Sequence, residues 1–252
     1  MGRTLLPMAM WIALCGSPTI LAAAPPSSLP SGPSFRMETE IYQDKANEPA
    51  TRHKILFDSG VIYDLQEQGG HVQTVFDPAR QRVILLDTQT QVQAEVSTQL
   101  LIDVTAQLAV AARQQKKTES FGLDAVVHAD DDRYSIAFGS CQYETTTQTV
   151  SRPELAKAYH ELTVWAARLN VLRRLGAPPF ARMTLGEKLA ADGRLPLDLT
   201  LTIDQGGKQH HYRAHHLVLE KLSELDRQAI ETVGAQLASY RKIAIEDFPS
   251  EP

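Results

Sequence analysis

LDLTLTIDQGGKQHHYRAHH, from Leu197 to His216, reads as two different folds depending on its period. As a helix it sets His211 and His215 four apart on one face, a respectable spacing for zinc. As a hairpin it pulls the histidines apart. The residues ahead of the glycines decide. Leu197, Leu199, Leu201 and Ile203 alternate with Asp198, Thr200, Thr202 and Asp204, the period of a half-buried strand. Gly206-Gly207 is then a two-residue hairpin turn. The predicted register pairs Gln205 with Lys208, Ile203 with His210, Leu201 with Tyr212, Leu199 with Ala214 and Leu197 with His216. On the other face it pairs Thr202 with His211, Thr200 with Arg213 and Asp198 with His215.

That register divides the cluster, which holds four of the chain's eight histidines. Adjacent side chains point to opposite faces of a strand. His210 and His216 share a face but stand roughly 20 Å apart, at about 3.4 Å per residue. Ligands of one zinc ion each lie about 2.0–2.1 Å from the metal, so the cluster cannot make one site alone. Two sets of candidates remain. His211, His215 and Asp198 on the polar face are the metal candidates. His210, Tyr212, His216, Leu199 and Leu201 on the apolar face are the candidate binding surface.

The same period runs through the first half of the folded region. Phe35, Met37, Thr39 and Ile41 face one way, and His53, Ile55 and Phe57, then Val61, Tyr63 and Leu65, repeat the pattern. Val72, Thr74 and Phe76, then Val83 and Leu85, then Val92, Ala94 and Val96 continue it. Breaks at Asp58-Ser59-Gly60, Gln68-Gly69-Gly70, Asp77-Pro78 and Asp87-Thr88 carry turn chemistry. The prediction is a six-strand antiparallel meander. Further strands are expected at Tyr134–Phe138 and Tyr143–Thr147, and a short last one at Ile243–Phe248.

Four helices are predicted between and after the strands. Ser97 caps the first, with Leu100, Leu101, Val104, Leu108 and Ala111 as its apolar face. Ser151-Arg152-Pro153-Glu154 opens the second as a capping box, with a stripe from Leu155 to Leu172. Thr184 to Glu187 opens the third by the same device, and Ser223 with Asp226 opens the fourth. About nine strands in blocks, with about four helices covering one face, make an α+β fold around a curved, half-barrel-like antiparallel sheet.

The chain's start reads as an export signal. Met1-Gly2-Arg3 is basic, Thr4–Leu14 is apolar, and Ala22-Ala23-Ala24 offers a cleavage motif, so residues 1–24 are the predicted signal peptide with the cut near Ala24. An uncleaved anchor and lipidation at Cys15 are the alternatives, disfavoured by Pro7 and by Leu14 respectively. Residues 25–34, PPSSLPSGPS, form a Pro/Ser linker, and 35–252 form one domain. Cys141 is then the single cysteine left, so no internal disulfide supports the fold. A net charge of −5 and no basic patch with interleaved aromatics speak against nucleic acid as partner. No segment after the signal has transmembrane length.

Catalytic motifs are missing. There is no G-x-S-x-G, P-loop or G-x-G-x-x-G in the sequence. Asp130-Asp131-Asp132 lacks the alternating ligands of a calcium loop and reads as a solvated turn. Cys141 sits in a strand-like stretch, away from any helix N-terminus that would activate it.

KILFDSGVIYDLQEQGGHVQTVFDPARQRVILLD, Lys54 to Asp87, resembles the sheet portion of the LolA-like superfamily of periplasmic lipoprotein carriers and lipid-binding relatives. The resemblance spans about residues 35–150 and is one of architecture. It implies a half-open barrel cupping an apolar ligand under helices, in the periplasm. Those carriers have an amphipathic helix before the first strand, which is not read here, and none of their site residues is carried over. The chain also looks like secreted proteins of bacteria. The expectation is an exported, non-catalytic binding protein of the cell envelope, without cofactor, taking a lipid, a lipoprotein or another envelope protein. A metal-dependent or other hydrolase using the His210–His216 strand is the alternative, and a structural envelope protein is the third reading.

Overall fold

A computed structural model describes residues 32–249. The predicted signal, Ala24 included, and most of the linker lie outside the described residues.

Alternating sequence gives two meanders. The first is β1 (Phe35–Gln43), β2 (Thr51–Asp58), β3 (Val61–Gln68), β4 (Val72–Asp77), β5 (Arg82–Asp87) and β6 (Val92–Ser97), each paired antiparallel to the next. Helices α1 (Thr98–Gln114) and α2 (Thr118–Phe121) follow. The second meander is β7 (His128–Asp130), β8 (Arg133–Phe138), β9 (Cys141–Thr149), β10 (Arg194–Gln205) and β11 (Lys208–Leu219), with α3 (Pro153–Arg173) and α4 (Pro179–Ala191) inserted between β9 and β10. A last helix, α5 (Glu224–Ser239), leads to β12 (Arg241–Ile243).

Pairing of β1 with β11, from Arg36 opposite Leu219 to Gln43 opposite Tyr212, joins the meanders into one twelve-stranded sheet. The order is β12-β6-β5-β4-β3-β2-β1-β11-β10-β9-β8-β7. The sheet is open, with β7 and β12 as its edges, and β12 on β6 is its one parallel pair among the described residues. The class is α+β, as expected. The three-residue β7 enlarges the predicted set, and the expected final strand is β12, which ends at Ile243, where the prediction began it.

The inner face carries the main core. Phe35, Met37, Phe57, Phe76, Val83 and Leu85 pack under α1 and α3 through Leu101, Leu155 and Leu162. Tyr134, Ile136 and Phe138 pack under Ala181, Leu185 and Leu189 of α4. The expectation of helices on a single face holds for these. Helix α5 differs: its Val233 and Ile230 cover Leu56, Val75, Ile84 and Leu86 on the outer face. The reason lies in β2–β5, where both alternating rows are apolar, as in RVILLD of β5. Consequently Val61, Tyr63 and Leu65 of β3 face α5, while Ile62 and Asp64 face inward. On β8–β11 the outer row is mostly polar, Leu217 apart, and no helix covers it among the described residues.

Helix ends explain how α5 is held across the first meander. Ser223 Oγ accepts the Asp226 N–H at 3.2 Å, and the Asp226 carboxylate accepts the Ser223 N–H at 2.8 Å, a complete capping box as predicted. The same carboxylate, 1 % exposed, accepts from Arg36 Nη1 of β1 at 3.2 and 3.3 Å. At the other end buried Gln93 of β6 donates to the carbonyls of Leu237 and Tyr240, at 3.0 and 2.7 Å.

Other helix starts depart from expectation. Ser97 caps α1 as predicted, its Oγ accepting the Leu100 N–H at 3.1 Å. The buried stripe of α1 is Leu101, Thr105, Ala109 and Ala112, which leaves Leu100 exposed. Ser151 does not cap α3: its hydroxyl donates to the Glu220 carboxylate at 2.9 Å, and Glu154 is taken by Arg152. Helix α4 begins at Pro179, not Thr184, because proline at the first position supplies a helical φ and lacks only an N–H the helix would not use.

Burial pushes the Asp226 carboxyl upward, but hydrogen bonds from Ser223 and Arg36 outweigh it and hold the group below its usual range. Asp226→Asn removes the charge facing Arg36 and is expected to cost about 2–3 kcal/mol in urea unfolding at neutral pH. The native advantage should be complete above the unfolded carboxyl value of about 3.9 and fade as pH falls toward the lower folded value. A variant with the same denaturation midpoint as the native protein would show that the Arg36–Asp226 link contributes nothing.

Candidate functional site

The seam between the meanders builds a polar row into an otherwise apolar face. On β1, Thr39 lies opposite His216 of β11 on one side and opposite His53 of β2 on the other. Strands lie about 4.8 Å apart, so the two histidines are separated by roughly 10 Å at the backbone, with Thr39 between. Helices α3 and α4 close over this row. They leave a cavity of about 360 Å³, walled by Ile41, Ile55, Leu162, Ala166, Ala177 and Leu201. This volume is near the lower end of the range of about 300–1,000 Å³ for small-molecule pockets.

One end of the cavity is polar and buried. Thr39 Oγ1 and His216 Nδ1 are 2.8 Å apart, and His216 is 5 % exposed. The Tyr159 ring meets the His216 ring edge-on at 5.9 Å. Arg182 of α4 donates from Nη2 to Tyr159 Oη at 2.6 Å, with its Cζ 5.6 Å from the ring centroid. Gly186, one turn further along α4, permits this approach: a Cβ there would lie 3.0 Å from His160 Nδ1 and 3.3 Å from Thr163 Cγ2 of α3. Two buried atoms of the cavity-lining residues lack any hydrogen-bond partner, His216 Nε2 and Arg182 Nη1. Elsewhere on the wall, His53 Nδ1 and Asp64 Oδ1 are 2.6 Å apart.

The electrostatics keep His216 neutral. Burial, then the positive charges of Arg182 and His215, lower its pKa to about 3. Burial raises the Tyr143 hydroxyl, with Arg182 pulling the other way. Arg182 therefore influences three cavity residues, yet no carboxylate forms an ion pair with it among the described residues.

The predicted hairpin is present. Gly206 and Gly207 have φ of +64° and +86°, as a type I′ turn requires. The register holds from Gln205 opposite Lys208 to Asp198 opposite His215. The expected Leu197–His216 pair does not form, because β10 is bulged between Pro196 and Asp198. Of the apolar-face candidates, His216 and Leu201 line the cavity. Leu199 packs beside the α4 cluster, while His210 and Tyr212 lie on the same face outside the cavity wall.

The metal candidates lie on the bare outer face. His215 Nδ1 is 3.0 Å from Asp198, and His211 Nδ1 is 3.1 Å from Thr202. His211 and His215 stand about 14 Å apart along the strand. No three His, Cys, Asp or Glu side chains converge as a metal site among the described residues. Asp131, with φ +49°, turns β7 into β8, and burial raises the Cys141 thiol.

Arg182, Tyr159, Asp64, His53 and Thr39 are site residues that the sequence pattern does not single out. His53 and Thr39 stood in inward rows as polar exceptions, which was a usable signal. Arg182 and Tyr159 gave none, since nothing local says that their helices meet. No protein-family model matches the chain, and no curated protein is similar to it.

Because the unfolded imidazole titrates near 6.5 and the folded one near 3, the unfolded state takes up a proton first as pH falls. His216 should therefore cost stability progressively below about pH 6.5, a penalty absent above it. His216→Gln, which keeps a partner for Thr39, should flatten the stability profile between pH 6.5 and 4 in urea unfolding. A native His216 ring resonance that titrates near pH 6.5 by NMR would contradict the buried neutral state.

Proposed function

We propose that the protein is an exported, non-catalytic carrier or sensor that binds an apolar or amphiphilic ligand between its sheet and helices α3 and α4. The supporting observation is the cavity of about 360 Å³ with aliphatic walls and one polar end. Ligand sites are concave, mostly apolar and oriented by a few polar groups, and this cavity has that composition. An open antiparallel sheet under helices is also the arrangement of the LolA-like carriers that the sequence resembles. The basic, apolar and alanine-rich start of the chain supports binding in the bacterial envelope, and the aliphatic wall supports a lipid or the acyl part of a lipoprotein as ligand.

His53 and Asp64 favour a second reading. A histidine oriented by a carboxylate on a cavity wall is the arrangement of a general base. Under that reading the cavity converts its ligand. Mass spectrometry of ligand recovered after incubation separates the two, since a carrier returns it unchanged.

Delipidated protein should bind a fluorescent apolar probe in the micromolar range or tighter. Ala166→Phe fills the cavity wall and should weaken the probe at least tenfold at unchanged melting temperature. Probe binding that is equal in native and variant protein places the probe elsewhere and sinks the cavity reading.

A further inference from the structure

Arg182 and His216 present a combination that the protein's own chemistry leaves incomplete. Arg182 carries a full charge, half-buried, with Tyr159 as its one side-chain hydrogen-bond acceptor among the described residues and Nη1 unpartnered. His216 Nε2 is likewise buried without a partner. Both residues line the same cavity, as does Tyr159. Leaving a buried charged donor unsatisfied is costly, so such groups are normally paired. Here no carboxylate of the described chain pairs with Arg182, and the nearest structural use for its free donor is a ligand.

Resting on the cavity reading above, we propose that the ligand is a single-chain amphiphile with a carboxylate head, its head on Arg182 and His216 and its chain along the aliphatic wall. One guanidinium balances one negative charge. No lysine lines the cavity, and the additional cation that a phosphate dianion would call for is missing from its wall. Asp64 lines the same cavity but stands three strands from His216, roughly 14 Å at about 4.8 Å per strand, and is held by His53 at 2.6 Å. The tautomer fits the same head. With Thr39 donating to His216 Nδ1, the ring's one proton sits on Nε2 and donates to a carboxylate oxygen. The volume suits one acyl chain rather than the several chains of a lipoprotein anchor.

The test compares two ligands of equal chain length on the full chain, dodecanoate and dodecanol, by displacement of the fluorescent probe. Native protein should bind dodecanoate at least tenfold more tightly than dodecanol, the size of one to two hydrogen bonds to a charged group. Arg182→Gln should bring dodecanoate down to the dodecanol level, and a melting temperature equal to the native protein's reports that the variant is folded. Arg168→Gln, at an arginine stacked on Trp165 and outside the cavity wall, should change neither. Equal affinity of the native protein for both ligands, or an Arg182→Gln variant that still prefers dodecanoate, overturns the carboxylate head and leaves the cavity reading standing. Displacement of the probe by neither ligand overturns both. Dodecyl phosphate bound more tightly than dodecanoate also overturns it, in favour of a phosphate head.

Discussion

Everything in this molecule depends on one strand pair, β1 with β11. Two antiparallel meanders, built from hairpins except where α3 and α4 separate β9 from β10, would otherwise be separate sheets. Their union aligns Arg36 through Gln43 with Leu219 through Tyr212. It fixes which side chains of the C-terminal hairpin meet those of the first strand, and so sets His216 against Thr39. It is also the most non-local contact of the sheet, with the largest loop-closure cost, and only the packing on both faces offsets that cost.

The two halves of the sheet are treated differently. Strands β2–β5 are apolar on both faces and are sandwiched between α3 and α5. Strands β8–β11 are apolar inside only, so their outer surface of threonines, histidines and acids meets water. Helix α5 bridges from the end of β11 to β12 at the far edge, tied to β1 through Arg36–Asp226 and to β6 through Gln93. The exposed histidines, which invite a metal reading as a string, belong to the uncovered half, and the buried one belongs to the seam.

A polar end inside an apolar cavity is a concession of stability to something else. Filling the position of Arg182 with a leucine would satisfy packing and remove an unpaired donor. Instead the chain keeps a guanidinium on a tyrosine hydroxyl and a neutral histidine on a threonine, with one buried polar atom on each left over. Departures of this kind from local consistency are expected where a protein binds or reacts. They are the physical basis of the proposed ligand head at this end.

Period-two alternation in the sequence determined the strands of both meanders except β7, the turn at Gly206-Gly207, and the Asp198–His215 and Thr202–His211 neighbours, because hairpin register follows from turn length and side-chain alternation alone. It determined the Ser97 and Ser223 caps, which are local hydrogen bonds. It did not determine the bulge at Leu197, the start of α4, or which row of β3 faces inward, since each is settled by what packs against it. The cavity was decided by tertiary structure only. Its floor comes from strands at opposite ends of the chain, and its roof from two helices whose close approach rests on Gly186. A histidine in a strand is legible as inward or outward, but whether it finds Thr39, Tyr159 and Arg182 depends on contacts 177, 57 and 34 residues away in the chain, and no local period encodes them.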